Sequence, residues 1–406
     1  MPKTIISILG TSGAYFNHKD CTPQRHENGG IKYQSALYRA GVLGKEDATH
    51  KNATEFLLEH YEGKFFFIGT QCAISFQQTI LSGALEGKDV SYIEIGDNSL
   101  NDIFEAVLAL LQEHDDIVLD ITHGFRHQPI MAIFASTLSQ FLHREELEII
   151  FAKEVETFKI YEYIYLDTYV DVTQISLLLT GFIRTLNFIP VQSMKLLDNR
   201  VFENFSKSLL SNDLRGVEKH YAKLHQELQT LKANASLSHI TGLLDKVELE
   251  LEPLSHFGEL DKHTRYLTLA QMTADKNYLI VALAYVFESL RTYSDSRFTD
   301  VCQGIRYKDD FARKQDIMNA ITHAPYALKS NQVYKKHRDF YARNQSKLDR
   351  VGRIYLEIRK LRNSLAHINE HKEFEDIKQM VQGYIFKVES VFRDDVLAQL
   401  KVETRK

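Results

Sequence analysis

The chain has 406 residues, more than one ordinary hydrophobic core accommodates, so two or more domains are expected. Hydrophobic residues make up 44% and charged residues 25%, which excludes a disordered or fibrous chain. The formal net charge of −5 excludes a protein that holds nucleic acid by overall charge, so any basic surface must be local.

Cys21, Cys72 and Cys302 lie far apart with no CxxC pair, which argues against a zinc site and against a disulfide framework. That usage fits a reducing, cytoplasmic setting. Met1-Pro2-Lys3-Thr4 leads into a short apolar run without the form of a signal peptide. No uncharged apolar run approaches ~20 residues, so no membrane span is expected.

Four short apolar runs open the chain, each stopped by small or polar residues. Ile5 to Leu9 ends at Gly10-Thr11-Ser12-Gly13, and Phe65 to Ile68 ends at Gly69-Thr70-Gln71. Ser91 to Ile95 ends at Gly96-Asp97, and Asp116 to Asp120 ends at Thr122-His123-Gly124. Such runs read as buried parallel strands. Helical patterns at Leu100 to Glu113 and Pro129 to Leu142 alternate with them, which predicts an α/β doubly wound sheet. Glu148 to Ala152 and Lys159 to Leu166 read as two further strands. The polar segment from Ala14 to Tyr33, with Gly29-Gly30, reads as a surface excursion or a hairpin.

From about Val172 the pattern turns helical throughout. Ile175 to Ile189, Lys195 to Leu251, Tyr266 to Arg291, Ile354 to His367 and Phe374 to Leu400 are the expected helical stretches. The expected domains are therefore residues 1–175, α/β, and residues 176–406, all-α.

Loops at the carboxyl ends of parallel strands are where such sheets bind ligands. Glycines there allow close backbone approach, and free N–H groups suit phosphates. Gly10-x-x-Gly13 is not a dinucleotide fingerprint and no Walker lysine follows, which excludes an ordinary dehydrogenase or P-loop ATPase.

Arg362-Asn363-Ser364-Leu365-Ala366-His367 is the second feature of note. Val351, Ile354, Tyr355, Ile358, Leu361 and Leu365 fall on one side of a helical wheel, and Arg362, Asn363 and His367 on the other. An imidazole moves protons near neutral pH, and a guanidinium holds phosphate, so the set can cleave RNA without a metal. Arg215 and His220 repeat the spacing with an acid and a glycine between them, and read as surface helix. From Lys329 to His367 there are eleven lysines and arginines against three acids (Asp339, Asp349, Glu357), a local +8. Tyr334, Phe340 and Tyr341 are interleaved, which suits a phosphate backbone with unpaired bases.

Asp120-Ile121-Thr122-His123-Gly124 resembles the Asp-x-Thr-His-Gly motif of CRISPR-associated proteins with a CARF sensor domain. The opening Ile-Leu-Gly-Thr-Ser is similar to the first strand of that family. Arg362-Asn363 to His367 resembles the Arg-x4–6-His motif of the HEPN superfamily of ribonucleases. Together the chain resembles the ancillary CARF–HEPN ribonucleases of type III CRISPR systems.

That resemblance implies a Rossmann-like CARF domain followed by an all-α HEPN domain, in a homodimer or a higher oligomer. It implies single-stranded RNA as substrate, Arg362, Asn363 and His367 as catalytic residues, and transesterification by the 2′-hydroxyl with no metal or other cofactor. It implies activation by a cyclic oligoadenylate, with cyclic tetra-adenylate favoured and cyclic hexa-adenylate the alternative. The expected ligand residues are Gly10, Thr11, Ser12, Thr70, Gln71, Thr122, His123, Gly124 and Arg126. His123 either binds the ligand or braces the loop through Asp120. Glu288 corresponds to an acid that many HEPN proteins carry on an earlier helix. Asn369 stands where nucleotidyltransferase-paired HEPN toxins carry a tyrosine, which counts against that subclass. Two other readings stand beside this one: a CARF regulator that binds nucleic acid without cutting it, and an added ring-nuclease activity through Thr11, Ser12 and Thr122.

Overall fold

A computed structural model describes residues 3–11, 16–17, 21–96, 99–142, 146–189, 196–322, 331–333, 338–366 and 372–398. It divides into two compact units, Met1–Leu177 with Pro190–Leu197, and Leu178–Ile189 with Asp198–Lys406. No described helix is long and apolar enough to cross a membrane.

The first unit carries the strands β1 (Lys3–Ile8), β2 (Phe16–Asn17), β3 (Thr22–Pro23), β4 (Ala36–Arg39), β5 (Ala48–His50), β6 (Gly63–Gly69), β7 (Asp89–Glu94), β8 (Ile117–Asp120), β9 (Leu147–Glu156) and β10 (Ile160–Tyr165). Eight of them form one sheet in the order β5-β4-β10-β9-β8-β1-β6-β7. The run from β9 through β8, β1 and β6 to β7 is parallel. β10 is antiparallel to β9 and β5 to β4, while β10 and β4 are parallel.

Consecutive strand residues point to opposite faces, and both faces are apolar here. Ile5, Phe65, Phe67, Val118 and Ile150 pack with Phe56 and Leu57 of α1 (Ala53–His60) and Phe76 of α2 (Gln71–Ile80). Their neighbours Ile6, Phe66, Ile68, Leu119 and Ile149 pack with Ile103 and Val107 of α3 (Leu100–Glu113) and Ala132 and Ala135 of α4 (His127–Leu142). Each such aromatic or branched side chain contributes about 1.5–3 kcal/mol on full burial, so neither helical layer is dispensable.

β2 and β3 form a separate short hairpin, and a bridge joins Arg25 to Ile31. The described part of the 14–33 segment is therefore hairpin. β3 packs against α2, and this brings Cys21 to Cys72. The two form a disulfide with Cα atoms 5.2 Å apart, which corrects the expectation from sequence spacing. Separation along the chain carries no information about a pair brought together by a hairpin packed on a helix. Cys302 is a free, buried thiol.

The second unit is helical, and no strand follows Tyr165 among the described residues. After α5 (Asp167–Thr185), whose last residues belong to it, come α6 (Asn199–Leu210), α7 (Leu214–Ala233), α8 (Thr241–Leu251), α9 (Lys262–Asp275), α10 (Leu279–Arg297), α11 (Asp310–Ile321), α12 (Arg338–Ala366) and α13 (Phe374–Arg393). α10 is buried nearly all round, through Leu279, Ala282, Leu283, Tyr285, Val286, Phe287, Leu290 and Tyr293, so it is the central helix. α9, α11, α12 and α13 pack around it. The expected single helix from Tyr266 to Arg291 is two helices: Asn277 sits at φ 66 between α9 and α10 and turns the chain.

Candidate functional site

In the first unit, β1 pairs with β6 on one side and β8 on the other, so their carboxyl-end loops are neighbours. Asp120, the last residue of β8, has no exposed surface. Its carboxylate accepts from Ser7 Oγ at 2.8 Å, from Thr122 N at 3.2 Å and from Thr122 Oγ1. Burial pushes it up to about 6, against the pull of those donors. Thr122 Oγ1 also accepts from Ala152 N at 2.9 Å, so this hydroxyl staples β8 to β9.

His123 is nearly buried, and its Nε2 accepts from Ala53 N, the first residue of α1, at 3.3 Å. Burial alone pushes it down to about 4, so the imidazole is neutral and works as an acceptor. Of the two roles left open for His123, bracing fits this geometry, and the brace reaches α1. Thr70 is likewise occupied as N-cap of α2, accepting from Ala73 N at 3.3 Å.

Gly124 lies at φ +100, and a Cβ there would stand 2.6 Å from Ile8 Cγ2. Only glycine tolerates both that backbone and that approach. Phe125 N donates to buried Gln128 Oε1 at 2.9 Å, which sets the entry into α4. On the β1 side, Gln77 Nε2 donates to Gly10 O, and Asn52 Nδ2 donates to Gln77 Oε1 at 2.9 Å. Asn52 in turn caps α1 by accepting from Glu55 N at 3.0 Å. Ser7, Asn52, Gln77 and Gln128 thus hold the loops, and the sequence reading missed all four. Asn52 had one legible signal, as Asn ahead of a helical run with an acid three residues on.

Gly10 and Thr11 are half-buried, while Gln71, Gly124, Phe125 and Arg126 are exposed. The face open to a ligand is therefore backbone amides, one amide side chain, one guanidinium and an aromatic ring. Phe125 stacks on His127 with centroids 6.1 Å apart and planes at 9°. Ser12 lies outside the described residues; of the other two hydroxyls proposed for ring opening, that of Thr122 is engaged by Asp120 and Ala152 N, and Thr11 is half-buried. A cavity of about 740 Å³ adjoins the set, lined by Thr22, Arg25, Gln71, Ser75, Thr79 and the disulfide.

In the second unit, Val351, Ile354, Tyr355, Ile358 and Leu361 are buried along α12, as the wheel predicts, and Leu365 is half-buried. Arg362 is half-buried and, seven residues from Tyr355 and so about 20° from it around the axis, lies on the Tyr355 side of α12, which corrects its expected place on the opposite side. Asn363 is exposed, and His367 lies outside the described residues, as do Lys329, Tyr334, Lys335 and Lys336. The Arg362 guanidinium carbon stands 4.4 Å from the centroid of the Phe287 ring on α10. Among the described residues Arg362 forms no ion pair. Arg353, Arg359 and Lys360 are exposed on the same helix, while Arg350 is tied to Asp394 at 2.9 Å.

Glu288 pairs with Arg291 at 2.7 Å and lies 3.5 Å from Lys314, which also donates to Thr292 Oγ1 at 2.8 Å. Burial pushes the Lys314 ammonium down, with Glu288 opposing. The acid assigned a family role thus neutralises two other cations. Among the described residues no cluster of three or more His, Cys, Asp or Glu is arranged to hold a metal.

Residues 45–163 match the family model of the CARF domain of the CRISPR system endoribonuclease Csx1. The solved structure of Enterococcus italicus Csm6 bound to cyclic hexa-2'-fluoro-hexa-dAMP is similar at 12% identity and a TM-score of 0.40, over 99% of this chain and 95% of that one. No curated protein matches the chain. The α/β unit with the Asp120–Gly124 loop therefore carries a CARF domain of the CRISPR-associated Csx1 kind.

Proposed function

We propose that this chain is a cyclic oligoadenylate-activated endoribonuclease that cuts single-stranded RNA without a metal in CRISPR defence. One observation carries the reading. Arg362 stands beside exposed Asn363, five positions before His367, with its guanidinium on an aromatic face and, among the described residues, no ion pair to neutralise it. Its N–H edges are thereby available to a phosphate.

In this reading a His367 imidazole takes the proton of the ribose 2′-hydroxyl, and O2′ attacks the adjacent phosphorus. The bond to the 5′-oxygen breaks, that oxygen is protonated by a second imidazole, and a 2′,3′-cyclic phosphate and a 5′-hydroxyl result. Arg362 offsets the charge that grows on the phosphoryl oxygens, and Asn363 orients the pair. A single motif supplies one imidazole, so the site is completed by a second copy. The outward face of α4 supports a homodimer: Ile130, Phe134 and Leu138, at i, i+4 and i+8, are exposed. A two-fold dimer suits a ring of even symmetry, cyclic tetra-adenylate first and cyclic hexa-adenylate second. The ring's phosphates would meet the Gly10, Thr11 and Gly124 amides and Arg126, and its bases Phe125. Binding would shift the dimer toward the cutting arrangement.

The test is a fluorogenic RNA incubated with EDTA and either ring. We expect cleavage only with the ring, none of DNA, and a loss of about 10²–10³-fold in kcat for both Arg362→Ala and His367→Ala. Cleavage by His367→Ala at the wild-type rate would remove the assignment. Duplex DNA retarded on a gel with RNA left intact would replace it with a regulator.

A further inference from the structure

We infer that Phe287 is a positioning residue for the reaction: its ring fixes the Arg362 guanidinium while leaving every N–H of that group available to RNA phosphate. The inference rests on the ribonuclease reading and adds to it the device that orients its cation.

Phe287 comes from α10 and Arg362 from α12, so only their packing joins them. The ring is 6% exposed and is itself held. It stacks on Tyr355 with centroids 4.9 Å apart and planes at 26°. Tyr355 and Arg362 are seven residues apart, two turns along one side of α12, so both reach the same ring.

A second guanidinium shares the ring. Arg291 lies 5.5 Å from its centroid and 4.8 Å from that of Phe311. The two arginines differ in their remaining contacts. Arg291 is 3% exposed and bound to Glu288, whereas Arg362 is half-buried with no ion pair among the described residues. Arg291 is spent on the fold, and Arg362 is held against a π face. A carboxylate in that place would orient Arg362 equally well but would occupy the edges a phosphate needs and cancel the charge that stabilises it. A ring does neither, because the quadrupole attracts the flat face of the guanidinium and its donors lie in the plane.

The experiment replaces Phe287 by mono-, di- and trifluorophenylalanine, by Tyr and by Leu, in wild type and in Arg362→Ala. Fluorination drains the ring face with little change of shape. We expect kcat for activated RNA cleavage to fall stepwise with fluorination, by roughly 3- to 30-fold across the series, at constant melting temperature. Tyr should retain activity, Leu should lose it, and neither should change the residual rate of Arg362→Ala. Equal kcat across the fluorinated series, or an equal Leu effect without the arginine, would overturn the inference. The Arg362 Nε–H proton resonance gives a readout independent of cleavage. A ring-current shift that disappears in Phe287→Leu supports the contact, and an unchanged resonance overturns it. A wild type that cuts no RNA would sink the ribonuclease reading, while that resonance still decides the contact.

Discussion

Thr122 and His123 stand in the motif loop as candidate ligand residues, but each serves the fold: Thr122 joins Asp120 to Ala152, and His123 receives Ala53 N. Residue type was legible in the sequence, since a hydroxyl and an imidazole after a buried strand mark a constrained loop. Side-chain direction was not, because it depends on β9 and α1, which lie elsewhere in the chain. Asp120 yields a prediction at this scale. Its carboxyl rises from the usual 3.8 to about 6 in the fold, so the protonated form is favoured by folding. That contribution is fully present below about pH 4 and is lost as pH rises through about 6. Two units correspond to about 3 kcal/mol. The stability difference between wild type and Asp120→Asn, from urea melts of the full chain, should shift against wild type by about 2 kcal/mol between pH 4.5 and pH 7. A difference independent of pH would refute the burial of an ionisable Asp120.

At the scale of elements, the longer periodic segments were readable and the short ones were not. The stripe Val351, Ile354, Tyr355, Ile358, Leu361 is the buried side of α12, and Leu100 to Glu113 is a helix end to end. β4 and β5, of four and three residues, are too short for periodicity and exist by pairing with β10 and with each other. The break between α9 and α10 hid inside a continuous amphipathic pattern. Its cause is local: Tyr278 N donates to Thr273 O and Asn277 N to Ala274 O, both at 2.9 Å, a Schellman closure around a left-handed Asn277. Asn277→Ala should destabilise the protein by about 1–2 kcal/mol, while Asn277→Gly should be neutral or stabilising. Thermal melts of the pair decide it; equal effects would mean that the left-handed turn is not what the position requires.

For the whole molecule, the decisive surface is the outward side of α4. Phe134 is 58% exposed, with Ile130 one turn before it and Leu138 one turn after, on a helix whose opposite side is buried against the sheet. In the homodimer proposed above, this contiguous apolar stripe is the interface. Phe134→Glu should yield monomers in analytical ultracentrifugation and abolish ring-activated RNA cleavage, without lowering the melting temperature of the chain. A dimer that survives the charge would place the interface elsewhere.

Periodicity, glycine punctuation and residue type are properties of the chain itself. They suffice for the parallel strands, the switch from α/β to all-α, and the two motifs at Asp120–Gly124 and Arg362–His367. What touches what is a property of packing between segments distant in sequence. Packing set Cys21 against Cys72, turned Thr122 and His123 inward, committed Glu288 to Arg291, and laid Arg362 on Phe287, because each of these side chains is aimed by an element that the local sequence does not contain.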